Sequence, residues 1–392
     1  MRFPNWRPLN AFTNRVTARL WIAAVLAAVA ASPAVAHAAN TRGRGWWRGA
    51  ATGHAVFVQT NNVAGNAVAV YDQNRNGTLT LAGTYPTGGL GGILGGAGAD
   101  HLASQGSLVL DRATGLLYAV NAGSNTVSMF AVRGDRLYLL QVVSSGGVFP
   151  VSIAVHGDLV YVLNARDGAS VQGYIRLGDR LFEVPWWRRG LGLDESFQNT
   201  PTEFVHTPGQ VVFTPDGSHL LVSTKANTNS IDVFSVDGQG GLSATPVVNS
   251  AGSIPFAMAF DRSGHLVVTE TGTSSIVSFD VQPDGGLTPV STVATGQAAS
   301  CWIAAVRPDL LYVSNAGSAT ETGVSDLAGA LATLGNTPTD PGTIDATGTP
   351  SGRYLYVQTG AEGILDEFAV NPGGALTEIG SVPVGGEGIA AS

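Results

Sequence analysis

One phrase recurs seven times along this chain, and the repetition limits the folds that the chain can adopt. Each copy is a short apolar strand that ends in Asn or another polar residue and is followed by a small polar turn. The copies recur at a basic period of about 43 to 45 residues, which is typical of the blades of a β-propeller. They are HAVFVQT, LLYAVNA, LVYVLNA, LLVSTKA, LVVTETG, LLYVSNA and YLYVQTG, which begin at residues 54, 116, 159, 220, 266, 310 and 354.

The segments between the copies supply the remaining strands of each unit. Turn sequences such as PDGS (215–218) and PDGG (283–286) separate stretches of alternating or continuous apolar residues, which indicates hairpins. The stretch DLAGALATL (326–334) has a helical composition, but it occupies a hairpin position of the sixth unit. We therefore predict an all-β fold, a propeller of seven blades with four antiparallel strands in each.

The two ends of the repetitive region are predicted to meet. The first unit starts directly on its second strand at His54, so an inner strand is missing there. Residues 387–392 match an inner strand in length and character. We predict that this C-terminal strand completes blade one, because closure removes an open sheet edge.

The first 38 residues have the three parts of a secretory signal peptide. Four Arg precede or adjoin the apolar run 20–31, and small residues around Ala36 and Ala38 offer cleavage sites. A retained membrane anchor is the alternative, but the run is shorter than the ~20 residues that span a bilayer. We therefore expect a secreted protein, extracellular or in the cell envelope. Its mature part has a flexible N-terminus (39–52) and a single propeller domain (53–392).

The charge balance and the cysteine content exclude several kinds of partner and chemistry. The formal charge is −8, and loss of the four signal-peptide Arg makes it more negative by four. Nucleic acid and anionic membranes require clustered basic charge, so neither is an expected partner. Cys301 is the single cysteine, which excludes an intrachain disulfide, and its apolar neighbours predict a buried thiol. We expect a monomer that binds a small molecule or an extracellular partner and needs no cofactor.

The strand phrase, the turn TPDGSHLLV (214–222) and the ending PDGGLTPV (283–290) together resemble the seven-bladed β-propeller lactonase family over nearly all of 53–392. That family includes bacterial 6-phosphogluconolactonase-type proteins and fungal carboxymuconate lactonising enzymes. The resemblance implies the propeller fold and a lactone hydrolase or lactonising activity. Members often carry His just ahead of an inner strand, where the segment PGQVVFTPDG of this chain has Gly209 and Gln210. His206, slightly upstream, is the candidate to replace that imidazole.

The polar residues that end the phrase are candidates for a site, because they vary where the scaffold does not require variation. We predict that they surround the mouth of the central channel, with Glu270 as a general base and Lys225 as the cation for a carboxylate or oxyanion. In the alternative interpretation, Lys225 and Glu270 form an ion pair and the Asn side chains cap their own turns. The ring consists of Thr60, Asn121, Asn164, Lys225, Glu270, Asn315 and Thr359.

Two long insertions between blades are predicted to rise on the same face as these phrase endings. They contain residues 87–106 and 183–209, and the Gly-rich part of the first is interpreted as a flexible lid. No metal site is predicted, because calcium would require several carboxylates in the ring. The candidate catalytic residues are Glu270, Lys225 and His206. The candidate ligand-binding residues are Asn121, Asn164, Asn315, His101, Gln210, Trp186, Trp187 and Arg188.

Two functions from different classes fit these features. In the first, a secreted lactonase-like enzyme hydrolyses or forms a small lactone at the channel mouth. In the second, the propeller is a non-catalytic extracellular module that binds a ligand or a protein through the inserted loops. The His that is missing next to Gln210 favours the second function.

Overall fold

The computed structural model describes residues 54–384 and 388–391. The signal peptide (1–38) and the mature N-terminus (39–52) predicted from the sequence lie outside these residues. Within them, the chain forms seven antiparallel sheets that follow one another along the sequence. The predicted all-β propeller of seven blades is therefore confirmed.

The strands of the first four blades have the bounds that follow. Blade 1 contains β1 (Ala55–Gln59), β2 (Ala67–Gln73) and β3 (Leu79–Pro86). Blade 2 contains β4 (Leu108–Asp111), β5 (Leu116–Asn121), β6 (Thr126–Arg133) and β7 (Arg136–Ser144). Blade 3 contains β8 (Pro150–His156), β9 (Leu159–Asn164), β10 (Ser170–Leu177), β11 (Arg180–Glu183) and β12 (Arg189–Gly190). Blade 4 contains β13 (Gln210–Phe213), β14 (His219–Ser223), β15 (Ser230–Ser235) and β16 (Val247–Ser250).

The remaining three blades are regular, and one further strand follows them. Blade 5 contains β17 (Pro255–Phe260), β18 (Leu266–Glu270), β19 (Ser275–Val281) and β20 (Leu287–Ala294). Blade 6 contains β21 (Ser300–Arg307), β22 (Leu310–Asn315), β23 (Thr320–Leu327) and β24 (Ala330–Pro338). Blade 7 contains β25 (Thr343–Gly348), β26 (Tyr354–Thr359), β27 (Ile364–Val370) and β28 (Leu376–Pro383), and the last strand is β29 (Gly388–Ala391).

The recurring phrase is the second strand of every blade. In β5 and β22 all residues are buried, because neighbouring blades cover both faces of the strand. The outermost strands, such as β7, alternate between buried and exposed residues or are mostly exposed. The repetition of the phrase therefore reflects the packing of one blade against the next.

The ring closes as predicted from the sequence. Strand β29 pairs antiparallel with β1, from Val56 opposite Ala391 to Gln59 opposite Gly388, and completes blade 1 as its inner strand. The segment 326–334 forms a hairpin, as its position in the sixth unit predicted, because β23 and β24 are joined by Ala328 and Gly329, which both have positive φ angles.

Helices are few and short in the described part of the chain. One α-helix spans Glu203–His206, and 3-10 turns span Ala122–Ser124, Pro185–Trp187 and Glu195–Phe197. None of the helices in the described ranges has the length and apolar character that crossing a membrane requires. Cys301 is buried and free, as predicted.

Candidate functional site

The first insertion lies across one end of the central channel. It leaves blade 1 after β3 and enters blade 2 at β4, yet its Gln105 side chain bonds both the N–H and the C=O of Ile303 in blade 6, at 3.0 and 2.9 Å. The indole of Trp302 donates to Ser104 O (3.0 Å), and Ser104 Oγ donates to Val151 O of blade 3 (2.8 Å). This loop therefore closes the end of the channel where a ligand was predicted to enter.

The glycines of the insertion permit close packing, which differs from the flexible lid predicted from the sequence. A Cβ atom on Gly91 would lie 1.9 Å from Asn61 O, and one on Gly89 would lie 2.4 Å from Asn121 Cγ. On Gly96, whose φ is +81°, it would lie 1.8 Å from Pro201 O of the second insertion. Glycine is required here because backbone approaches backbone, so the loop is a fixed cover of the channel.

Gly96→Ala is expected to separate the two insertions and to lower the free energy of unfolding by about 1 to 3 kcal/mol. The new Cβ meets Pro201 O, and Ala is strained at this positive φ. Gly98→Ala is the matched control, since a Cβ there has no atom within 4 Å. Urea unfolding and limited proteolysis of both variants check the prediction. Equal behaviour of the two would contradict the close packing.

Lys225 lies beneath both insertions and is 1% exposed. Its Nζ donates to Ala103 O (2.7 Å) of the first insertion and to Phe204 O (2.5 Å) and Thr207 Oγ1 (3.1 Å) of the second. Desolvation lowers the pKa of Lys225 to about 7, against smaller opposing effects of Asp100, Cys301 and Glu203. In its protonated form Lys225 has three hydrogens for these three acceptors, and in its neutral form it has two, so in either form it joins the two loops and has no hydrogen left for a ligand.

The position assigned to Lys225 in the ring of phrase endings is wrong by one residue. Tyr118 of blade 2 packs toward the next blade, which is blade 3. In blade 4 the residue that packs toward the next blade, blade 5, is Leu221, whereas Leu220 and Val222 pack toward the preceding blade 3. Thr224 is therefore the equivalent of Asn121, and its Oγ1 donates to Ser230 O (2.9 Å) across the turn. A shift of one residue moves a side chain to the other face of a strand, which explains why Lys225 points at the insertions.

Glu270 is packed between blades 4 and 5. The carboxylate of Glu270 packs directly against Gly252. A Cβ atom added to Gly252 would lie 1.9 Å from Oε2 of Glu270. Burial raises its pKa, and hydrogen bonds from Ser253 and Thr273 act in the opposite direction. No ion pair joins Lys225 to Glu270 in the described ranges, so the ion pair of the alternative interpretation is not formed either. The structure does not bring the two candidate catalytic residues into one accessible space.

The Asn residues of the ring are buried between blades. Asn121 Nδ2 donates to Ser128 Oγ (2.8 Å), and Asn121 Oδ1 accepts from Asn66 Nδ2 (2.9 Å). Asn315 Nδ2 donates to Thr322 Oγ1 (2.8 Å), and Asn164 Nδ2 donates to Ser145 O (3.0 Å). Asn121 and Asn315 also donate within their own turns, to Thr126 Oγ1 and Thr320 Oγ1, as in the alternative interpretation, whereas Asn164 holds the connection between blades 2 and 3.

The second insertion separates its two Trp residues. Trp187 is buried and stacks on Tyr161 with ring centroids 6.2 Å apart, so it packs the core of blade 3. Trp186 is exposed, and Arg188 Nε donates to Gly146 O (3.0 Å). Both β11 and β12 pair with β10, because the Pro185–Trp187 turn interrupts the outer strand. Trp186 and Arg188 are thus the two members of this group with solvent access.

His206 lies in a shallow groove between the second insertion and the turn of blade 3. Its ring stacks on Phe197, with centroids 3.5 Å apart, and Nδ1 lies 2.8 Å from Thr202 O. Burial raises the pKa of the nearby Glu203, but hydrogen bonds from Arg166 and Gly95 outweigh it, so that pKa lies below its usual range. The groove has a volume of about 20 Å³, which is room for about one water molecule. His101, in the first insertion, is half-buried, and its carbonyl accepts from Leu94 N (2.9 Å).

The channel itself holds a cavity that the sequence analysis did not identify. It has a volume of about 390 Å³, within the range of about 300 to 1,000 Å³ that is typical of small-molecule sites. Gln105 forms its closed end, while His156 and Pro215 lie near the hairpins at the opposite face. Gln210 lies on its wall, and Oε1 of this residue accepts from Met258 N (2.6 Å). Within the described ranges, no group of three His, Cys, Asp or Glu side chains is arranged to hold a metal ion.

Fold and channel together define a seven-bladed propeller with a covered mouth, and comparisons place it among known proteins. A family model described as "Lactonase, 7-bladed beta-propeller" matches residues 193–304. The predicted resemblance to the seven-bladed β-propeller lactonase family is thereby confirmed. A search of curated proteins gives no match.

Several solved structures share this architecture. A putative 6-phosphogluconolactonase from Bacteroides fragilis is 18% identical, with a TM-score of 0.66 over 87% of this chain and 98% of that chain. A putative 6-phosphogluconolactonase from Bacteroides uniformis is 21% identical, with a TM-score of 0.64 over 87% and 99%. The periplasmic gluconolactonase of Pseudomonas aeruginosa is 18% identical, with a TM-score of 0.66 over 86% and 98%. At these identities the likeness shows a shared fold.

Proposed function

We propose that this protein is a secreted propeller of the lactonase type that binds a small polar ring molecule, such as a lactone, without catalysing its hydrolysis through Glu270 and Lys225. The observation that carries this proposal is that both side chains are buried and occupied by contacts within the protein. Lys225 directs all its hydrogens at the two insertions, and Glu270 is packed against Gly252 in the connection from blade 4 to blade 5. A general base and an electrostatic partner must both reach the reacting atoms, and here neither does.

Binding is supported by the cavity in the channel. Its volume of about 390 Å³ suits a small molecule, and its wall combines apolar residues with a few polar groups. The names of the similar structures, a gluconolactonase and putative 6-phosphogluconolactonases, point to a lactone or a related ring. The apolar run before the predicted cleavage site and the periplasmic location in one of those names support a role outside the cytoplasm.

A panel of lactones tests this proposal against the enzymatic alternative. The mature protein is incubated with each lactone, and both ring opening and binding are followed, with Glu270→Gln and Lys225→Ala as comparison variants. We expect binding of at least one lactone with no hydrolysis above the uncatalysed rate. Hydrolysis by the parent above the uncatalysed rate that is lost in folded Glu270→Gln would overturn the non-catalytic function and restore Glu270 as the predicted general base.

A further inference from the structure

A groove lies between blades 4 and 5, on the face of the ring opposite the two insertions. Its volume of about 440 Å³ is enough for a small molecule. One wall is the hairpin between β13 and β14, from Thr214 to His219, and the other consists of Gly264 and residues 281–283 of blade 5. Thr214 and Pro215 also line the channel cavity, but His219 does not, so the groove is a second candidate site.

Hydrogen bonds within the hairpin fix the proton of the His219 ring. Asp216 Oδ1 accepts from Thr214 Oγ1 (2.7 Å), from Ser218 Oγ (2.8 Å) and from Ser218 N (3.0 Å). These bonds, that from Thr214 above all, lower the pKa of Asp216 to about 2, so Asp216 is a carboxylate that cannot donate. The one hydroxyl hydrogen of Ser218 therefore goes to Asp216, and Ser218 Oγ accepts from His219 Nδ1, which lies 2.9 Å away. In the neutral ring the proton is on Nδ1, and Nε2 carries a lone pair.

Nε2 of His219 is a hydrogen-bond acceptor that the protein leaves unused. His219 is 6% exposed, and no described residue is bonded to its Nε2. Unlike the unpaired polar atoms that are sealed inside the protein, this nitrogen remains within reach of solvent in the groove. A buried ring with one nitrogen oriented by the protein and the other open to a groove is arranged to bind a ligand.

Blade 5 contains the equivalent histidine with both ring nitrogens occupied. His265 Nδ1 lies 2.7 Å from Asp261 Oδ2, and its Nε2 lies 3.4 Å from Asp280 Oδ1. Ser235 pairs with His219 across the strands of blade 4, and the registers of the two blades make Ser235 the counterpart of Asp280. Blade 4 therefore lacks the carboxylate that occupies Nε2 in blade 5.

The surroundings of Nε2 define the kind of molecule that fits. Pro215, Val281 and Pro283 supply apolar walls, which suit an apolar body. No Lys or Arg belongs to the described residues that line the groove, and the Asp216 carboxylate repels an anion. Nε2 accepts a single hydrogen. A neutral aromatic ring with one hydroxyl group meets all of these conditions.

We propose that the groove between blades 4 and 5 binds a small neutral phenol, whose ring packs between Pro215, Val281 and Pro283 and whose hydroxyl donates to Nε2 of His219. The inference does not depend on the proposed function, because it concerns another group of residues and another class of ligand. It assigns a binding role to a histidine that the channel does not use.

Binding of two probes to the mature protein tests the inference. The probes are 4-methylphenol and its methyl ether, 4-methylanisole, which has the same ring but no hydroxyl hydrogen. Calorimetry at pH 8, where a phenol keeps its proton, measures both affinities. We expect the phenol to bind at least about tenfold more tightly, a difference of about 1.4 kcal/mol. We also expect it to shift the nitrogen NMR resonance of one imidazole, which is absent from the spectrum of His219→Phe.

Two variants locate the site. His219→Phe keeps a ring of similar size but removes the acceptor, so it is expected to lower the affinity for the phenol to that for the ether. Ser235→Asp supplies to His219 the carboxylate that Asp280 supplies to His265, and it is expected to weaken binding of the phenol at least about tenfold. Thr245→Asp is the matched control, since it adds the same charge at an exposed position of blade 4 outside the lining of the groove. If His219→Phe does not fold, Ser235→Asp carries the test, because Ser235 is exposed.

Three results would overturn the inference. Equal affinities of the parent for the two probes would exclude Nε2 as the acceptor. Undiminished binding of the phenol by folded His219→Phe, or by Ser235→Asp, would place the ligand elsewhere. Absence of binding by either probe would remove the inference and leave the proposed function intact, because the lactone panel tests that function separately.

Discussion

Glu321→Val is expected to raise the free energy of unfolding by about 3 kcal/mol at pH 8.5 and by much less at pH 5. Glu321 is fully buried, Ser314 Oγ donates to its Oε1 (2.5 Å), and its Oε2 has no hydrogen-bond partner among the described residues. Burial raises its pKa to about 8, with a further contribution from Asp345 and Asp366. The equivalent residues of the other six blades are apolar: Val68, Val127, Val171, Ile231, Ile276 and Leu365.

The direction of the pH dependence follows from the raised pKa. Below the ordinary value of 4.5, Glu321 is protonated in both the folded and the unfolded chain, so ionisation does not affect stability. Between 4.5 and about 8 the unfolded chain loses the proton while the folded chain retains it, so the free energy of unfolding falls as the pH rises. Valine removes this loss, and its gain is therefore largest at high pH.

Urea unfolding of the parent and the variant at pH 5 and pH 8.5 measures this difference. Glu321→Gln is the matched control, since it keeps the shape and polarity of the side chain but cannot ionise. It is expected to remove the contribution of Glu321 to the pH dependence without the additional gain from an apolar side chain. A gain from Glu321→Val that is the same at both pH values would show that Glu321 does not titrate in this range.

Lys225→Met is expected to lower the free energy of unfolding by about 2 to 4 kcal/mol and to loosen both insertions. Methionine retains the packing near Phe256, whose ring centroid lies 5.3 Å from Nζ, but it cannot donate to Ala103 O, Phe204 O or Thr207 Oγ1. Desolvation lowers the pKa of Lys225 to about 7 in the folded chain, against an ordinary value of 10.5. Between these two pH values the unfolded chain keeps the proton that the folded chain has lost, so the free energy of unfolding of the parent rises with pH. The loss in the variant is therefore larger at pH 9.5 than at pH 6.

Hydrogen exchange of residues 94–106 and 200–209 reports on the loops directly. We expect faster exchange in both segments of Lys225→Met, because one side chain holds them together. Arg262→Met, on an exposed hairpin, removes a cation without these contacts and is expected to leave exchange unchanged. Unchanged exchange in Lys225→Met would contradict its role in joining the loops.

The blades were predictable from the sequence, because each copy of the phrase buries both faces of a strand and must therefore be apolar throughout. The closing strand β29 was predictable from the inner strand that the first unit lacks. The orientation of Lys225 was not predictable from the sequence, because an alignment of apolar residues does not reveal which neighbouring blade each side chain faces. Leu220, Leu221 and Val222 are interchangeable in such an alignment, but their packing partners differ.

The site was harder to predict than the fold for two physical reasons. A glycine-rich segment can be flexible, or it can let two backbone segments pack closely together. Only the contacts of Gly91 and Gly96 in the structure show that close packing is the reason for glycine here. The channel cavity draws Gln105, Gln210 and Asp345 from three different blades or their connections, at separations that no local motif links. Sequence reasoning therefore placed the site at the phrase endings, where the residue types vary visibly.

The bonds between Gln105 and Ile303 give this ring a property that a chain of repeats ordinarily lacks. Repeated units commonly interact with their immediate neighbours, so stability spreads from one unit to the next. Here the connection that enters blade 2 is bonded to the inner strand of blade 6 across the axis. Blades that share no interface are thus energetically coupled, and the ring should unfold cooperatively, with a defect in blade 6 felt in blade 2.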